Sequence, residues 1–297
     1  MGFIWGRETM GKKYLKPESV LDYSLTTSLF LLLPIFSLFL IFFIYPLTRL
    51  LAISFIEPKF TLENYIRFFE ESVYVTVLLR TIRVSVIVSC ICLVVGYPLA
   101  YVLSNSRGKK LAIYMACIIL PFWTSILVRN YAWIVLLQRK GLINTFLHWI
   151  GLTDTPLRLL YTEPAVMVGM IHFLLPFMIL PIYSILKRID PKLILAAYNL
   201  GANPISAFFK VTFPLSLPGV GAGLSIVFII GLGFFITPAL LGGPKDLMIS
   251  TLIDTQINLN NWPFASAIAL ILLLITISLI LIFNKAVGLN QIFGRSS

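Results

Sequence analysis

Hydrophobic residues in this chain fall into six long runs, and polar residues gather in the short stretches between them. The runs lie at about 29–51, 82–103, 111 onward, 164–186, 219–241 and 264–283. Roughly 20 apolar residues in a helix match a hydrocarbon core about 30 Å thick. Six spanning helices and an all-α membrane protein are therefore predicted. The third run carries Pro121-Phe122-Trp123, where the helix is expected to kink or stop. The fifth holds Gly219, Gly221, Gly223, Gly231 and Gly233, which permit close helix contacts or a bend. Residues 52–80 contain Glu57, Glu63, Glu70 and Glu71 and predict an external segment with a short amphipathic helix. Residues 138–163 predict a half-buried surface helix around LINTFLHWIGL, and residues 242–263 read as an external loop.

One polar stretch has its own internal order. From Asp190 to Gly219 the sequence is DPKLILAAYNLGANPISAFFKVTFPLSLPG. Asp190-Pro191 is a helix start, an N-cap oxygen followed by a residue that needs no amide partner. Gly201 ends that helix where a left-handed backbone is easy for glycine. Asn203-Pro204 repeats the start signal, and the second helix carries Phe208, Phe209 and Phe213. Pro214 and Pro218 are expected to close it before the next span. The prediction is helix, glycine elbow, helix, at a membrane surface.

Composition agrees with the pattern: 59% of the 297 residues are hydrophobic and only 12% charged. The net charge of +11 sits in short loops beside apolar runs, which argues for membrane orientation rather than a nucleic-acid partner. Six spans put both termini and the elbow on one side. With Arg49 set aside at a span end, that side holds 13 of the 23 Lys and Arg and four of the 12 acids, against nine and eight on the other. Cationic short loops face the cytoplasm, so the termini and elbow are predicted to be cytoplasmic. Cys90, Cys92 and Cys117 lie in apolar runs and read as small hydrophobes.

Within the elbow the spacing is Ala196-Ala197, three residues, Gly201, nine residues, Val211, one residue, Phe213-Pro214. This resembles the cytoplasmic EAA loop of ABC-importer inner-membrane permeases. Leu241-Gly242-Gly243-Pro244-Lys245-Asp246, Asn261-Trp262-Pro263-Phe264 and Pro121-Phe122-Trp123 with Arg129 are similar to the permeases of spermidine/putrescine importers. The resemblance implies a MetI-like type I permease fold, with a core over 80–285. Before the core would lie a tail (1–26), the first span and an external segment (27–79); a second tail (286–297) would follow. It implies a knob, made by Leu195, Ala196, Ala197, Gly201, Phe208, Phe209, Phe213 and Pro214, that fits a cleft on a separate ATPase subunit. It further implies a second permease, two ATPase copies, an external solute-binding protein and a polyamine-like cationic substrate. Relatives that carry opines, amino-acid derivatives or phosphonates share these stretches. One position departs from the pattern: the loop's usual first residue is Glu, and here it is Leu195.

Catalytic and cofactor chemistry is sparse. Gly6-x-x-x-x-Gly11-Lys12-Lys13 lacks the Ser or Thr that a phosphate loop uses to hold magnesium, so nucleotide must bind another chain. His148 and His172 have no carboxylate or Cys at ligand spacing, and neither a metal nor a cofactor is expected. The spans carry no central Asp or Glu, which an ion-driven secondary transporter, the alternative, would want for a relay. Trp123, Asp246, Asp254 and Trp262 are candidates for a cation path, as acceptors and aromatic faces. Arg129 could fix a gate, meet a carboxylate or snorkel to the surface. Pro98, Pro121, Pro176, Pro181 and Pro238 either loosen helices along the path or end them.

Overall fold

Helices account for every regular element in the computed structural model, which describes residues 25–56 and 59–287. The tail residues around Gly6 to Lys13, and Glu57, lie outside the described residues. The chain divides into two units, one up to Leu50 and one from Leu51 onward. The first is an apolar helix, α1 (Leu25–Phe39), that passes through a π-helical turn at Leu40–Ile44 into α2 (Tyr45–Ile56). Among the described residues five helices are long and apolar enough to cross a membrane, or six if a bent pair counts as one span.

In the second unit, α3 (Glu63–Glu70) is the amphipathic helix expected before the second span. It leads into α4 (Ser72–Asn105), which starts ten residues earlier than the hydrophobic run suggests. Arg80 and Arg83 interrupt the run without ending the helix, because both pair with Glu163 and Arg80 also donates to the Lys245 carbonyl. At about 1.5 Å per residue its 34 residues reach roughly 51 Å, so α4 projects beyond a hydrocarbon core.

The third run is broken. α5 (Gly108–Ile119) gives way to a 3-10 turn at Leu120–Trp123, and α6 (Ile126–Leu137) leaves in a new direction. The arms Gly108–Trp123 and Ile126–Trp149 are bent 96° to each other. The second arm includes the surface helix α7 (Leu142–Trp149). Its Asn144 is buried and closes the following loop through the Gln138 and Leu157 carbonyls and the Leu157 amide.

α8 (Glu163–Leu186) starts on a Thr162 cap and runs straight through Pro176 and Pro181. After it come α9 (Pro191–Asn199) and α10 (Pro204–Ala207). Pro214 and Pro218 do not close the second elbow helix. It continues through a π-helical turn at Phe208–Thr212 into α11 (Phe213–Leu232), one apolar helix from Pro204 to Leu232. The wide turn bonds the Phe213 amide to the Phe208 carbonyl, and Pro214, which has no amide to offer, follows at once. The fifth span ends at Gly233, short of the expected Leu241, and a separate α12 (Ile236–Leu241) follows. The stretch 242–263 is likewise more than a loop. It holds α13 (Ile249–Asn258), whose Ile249 and Leu252 are core residues, before α14 (Trp262–Val287).

Two cores result. The larger joins α4, α8 and α11 with α6 and α12 through Val88, Met170, Leu174, Met178, Val227 and Leu241. The smaller joins α3, α13, α14 and the start of α4 through Phe68, Tyr74, Ile249 and Phe264. The glycines of α11 allow the close approach. A Cβ at Gly219 would lie 2.9 Å from the Pro181 carbonyl oxygen, and one at Gly223 2.8 Å from Met178 Sδ. Of the three cysteines only Cys92 is buried; Cys90 and Cys117 are exposed, and all three are free thiols.

Candidate functional site

The elbow is held by local bonds that its sequence dictates. Asp190 Oδ1 accepts from the Lys192 amide at 2.9 Å, and Asn203 Oδ1 accepts from the Ser206 amide at 2.7 Å. Each cap satisfies an amide that the first turn of a helix leaves free. Gly201 has φ +83°, and the paired bonds Ala202 N–H to Ala197 O and Gly201 N–H to Tyr198 O close a Schellman turn. No atom lies within 4 Å of where a Gly201 Cβ would sit, so backbone conformation alone calls for glycine there.

The three phenylalanines pack on one another but differ in exposure. Phe208 is half-buried, its ring against Tyr97 and Tyr101 of α4 at 5.9 and 5.5 Å. Phe213 also meets Tyr97, at 5.7 Å, and Tyr97 Oη lies 2.8 Å from Ser216 Oγ. Phe209 stays outside. The exposed apolar residues of the elbow are Phe209 and Phe213 as expected, together with Leu195, Leu200 and Ile205, with Leu200 at 89% exposure. Ala196 is exposed and Ala197 half-buried, while Pro214 is exposed. Leu200 and Ile205 flank the glycine turn and carry no sequence signal beyond being apolar where the chain must turn.

At the break in the third run, Trp123 is 85% exposed and Arg129 is buried. Arg129 neither snorkels nor meets a carboxylate. Its guanidinium donates to the Pro121 carbonyl and, at 3.2 Å, to both the carbonyl and the hydroxyl oxygen of Thr124. It also lies over the Phe173 ring of α8 at 5.4 Å. Neighbouring α6 residues extend the tie: Thr237 of α12 donates to Asn130 Oδ1 at 3.0 Å, and Trp133 Nε1 donates to His172 Nδ1 at 3.1 Å. Residue spacing alone could not reveal these partners, which lie 39 and 107 positions away.

The remaining path candidates stand apart from the break. Asp246 is half-buried and accepts from the Gly243 amide at 3.3 Å within a tight turn. Asp254, half-buried on α13, accepts from Asn258, and Trp262 donates to Asn260 at the start of α14. No hydrogen bond or aromatic pair joins these three to Trp123 among the described residues. Nor does any group of three or more His, Cys, Asp or Glu there have a metal-binding arrangement.

Long apolar helices packed through glycines, one broken span and a capped elbow between two spans define a multi-pass membrane transport subunit. The chain belongs to the family described as binding-protein-dependent transport system inner membrane component, whose model matches residues 92–286. It is 37% identical over 234 residues to the spermidine/putrescine transport system permease protein PotB of Escherichia coli K12, covering 78% of this chain and 85% of that one. The Haemophilus influenzae PotB is 38% identical over 270 residues, covering 88% and 93%. Among solved structures, a bacterial ABC transporter involved in import of the acidic polysaccharide alginate matches with a TM-score of 0.69. That match covers 87% of this chain and 93% of that one at 22% identity, so it speaks for the fold. The chain is a transport subunit of the inner membrane rather than an enzyme.

Proposed function

We propose that this chain is one of two permease subunits in an ATP-driven importer of spermidine, putrescine or a closely related cationic nitrogen compound. The identity to the PotB proteins supports the substrate class. The elbow and both termini face the cytoplasm in this reading, as the Lys and Arg distribution favours. A separate ATPase chain seats the elbow, a different permease chain completes the pore, and an external binding protein delivers substrate.

The observation that carries the mechanism is the continuity of the helix from Pro204 to Leu232. One end of this helix lies in the elbow, its middle packs against α8 through Gly219 and Gly223, and Gly231 at its far end lies against Ser85 of α4. A push from the ATPase on Leu200, Ile205 and Phe209 therefore moves a rigid rod whose far end lies in the membrane core. Switching between two packed arrangements of such rods opens the pathway to one side and then the other. The substrate passes without covalent change. Trp123, Asp254, Asp246 and Trp262 are the groups of suitable chemistry to meet a cation on its way, with Arg129 supporting the break beside Trp123.

Uptake by the reconstituted complex tests this reading. Labelled spermidine should enter vesicles only with binding protein outside and ATP trapped inside, and an uncoupler should leave uptake unchanged. Uptake that collapses with the uncoupler and ignores ATP would place the chain among ion-driven carriers instead.

A further inference from the structure

We propose that Arg129 is a positioning residue for transport: it fixes the bend of the broken third span and thereby holds Trp123 out at the break. The inference rests on the reading of this chain as an importer permease. A break of 96° inside an apolar run leaves carbonyl groups without helical partners, and in a membrane such groups must find partners within the protein. The Pro121 and Thr124 carbonyls are those groups here. The Thr124 amide and hydroxyl meet Pro121 locally, and Arg129 donates to both carbonyls, so among the described residues it alone links the turn to the next helix. A guanidinium suits the task, because it presents several N–H groups in one plane and keeps its charge.

The same side chain ties the bend to a neighbour, since its plane lies over Phe173. Phe173 in turn packs on Phe122 of the 3-10 turn at 5.8 Å and on Phe234, just beyond the end of α11, at 5.2 Å. The bend is thereby connected to Trp123, the next residue after Phe122, and to α11, which continues the helix that begins in the elbow. Arg129 Nε is buried with no partner, so the group is held for its other bonds and its stacking rather than for full satisfaction. A cationic substrate would not bind a buried arginine, so Arg129 acts through the bend and not by contact.

The test uses the full complex in vesicles, with spin labels at exposed Lys110 and Lys140, one on each arm of the bend. Arg129→Gln should lengthen or broaden the label distance and lower the maximal uptake rate tenfold or more. The concentration of loaded binding protein giving half-maximal uptake should stay within twofold. Arg129→Lys should restore part of the rate, since it keeps a donor and the charge. If Arg129→Gln fails to assemble, Thr124→Val decides, because it removes a hydroxyl that both accepts from Arg129 and donates to the Pro121 carbonyl, and should shift the distance in the same direction with a smaller loss of rate. An unchanged distance, or a changed distance with unchanged uptake, overturns the proposal. If Trp123→Ala transports normally while Arg129→Gln shows both effects, the path assignment of Trp123 fails and the positioning role stands. Loss of ATP dependence in the unsubstituted complex would remove the importer reading itself.

Discussion

The elbow and the break are both places where a helix stops inside this protein, and they solve the same problem in opposite ways. At the elbow the free amides and carbonyls are met by residues two to five positions away: Asp190, Asn203 and the turn around Gly201. Its apolar side chains are left outside. At the break the free carbonyls are met by a buried arginine, and the apolar rings of Phe122, Phe173 and Phe177 are packed together. A segment that satisfies its own backbone and exposes its apolar residues has the form expected of the proposed ATPase docking surface. A segment tied by an arginine and packed on a neighbouring helix through Phe122 is a joint within the molecule.

The largest effect that should break this contrast comes from Gly201→Leu. A left-handed conformation is disfavoured by about 1–2 kcal/mol for a residue with a Cβ. The relief is to turn α9 relative to α10 and so separate Leu200 from Ile205. Retention of the ATPase on the detergent-extracted complex should fall more than tenfold while membrane insertion stays intact. Gly201→Asn, which tolerates the left-handed region better, should retain most of it. Equal retention in all three proteins means the elbow is not the docking surface.

Leu200→Asp comes next. It leaves the backbone of the elbow alone and places a charge on the most exposed apolar residue of the face. ATPase retention should drop several-fold, whereas the same change at exposed Phe146 of α7 should leave it within twofold. If both sites respond alike, the effect is one of general solubility and the contrast loses its meaning.

At the joint, Asn130→Leu leaves the buried Thr237 hydroxyl without its partner. An unsatisfied buried polar group costs about 1–3 kcal/mol, so the thermal midpoint of the purified chain should fall. ATPase retention by the complex that remains folded should not change. A selective loss of ATPase with unaltered stability would reverse the assigned roles of the two regions.

The smallest expected change is Leu195→Glu, which restores the residue that the loop pattern usually has at that position. Leu195 is exposed, so the substitution should alter ATP-coupled uptake less than twofold, and Leu195→Lys should reduce ATPase retention. Complete loss with Glu would show that the facing cleft has adapted to an apolar residue.

How far each region could be read in the sequence follows from the range of its bonds. The elbow was legible almost throughout, because Asp190-Pro191, Gly201 and Asn203-Pro204 act on their immediate neighbours. Two features of it were not. Pro214 and Pro218 looked like stops, but a π-helical turn just ahead of Pro214 absorbs the missing amide and the helix continues. Phe208 looked like part of the exposed face, but Tyr97 and Tyr101, more than a hundred positions earlier, cover it. At the break Pro121 announced the bend, whereas the ring under Arg129 and the hydroxyl on Asn130 come from α8 and α12. The charged pair of Arg80 and Arg83 hid the true start of α4, because Glu163 and the Lys245 carbonyl that offset them are distant in the chain.

A photo-crosslinking residue in place of Leu200, compared with one in place of Phe146, tests the central claim most directly. Both positions are exposed and apolar, so unspecific capture should treat them alike. In the assembled transporter, illumination should join position 200 to the ATPase chain and leave position 146 free of it. An ATPase adduct at position 146 and none at 200 would contradict the account.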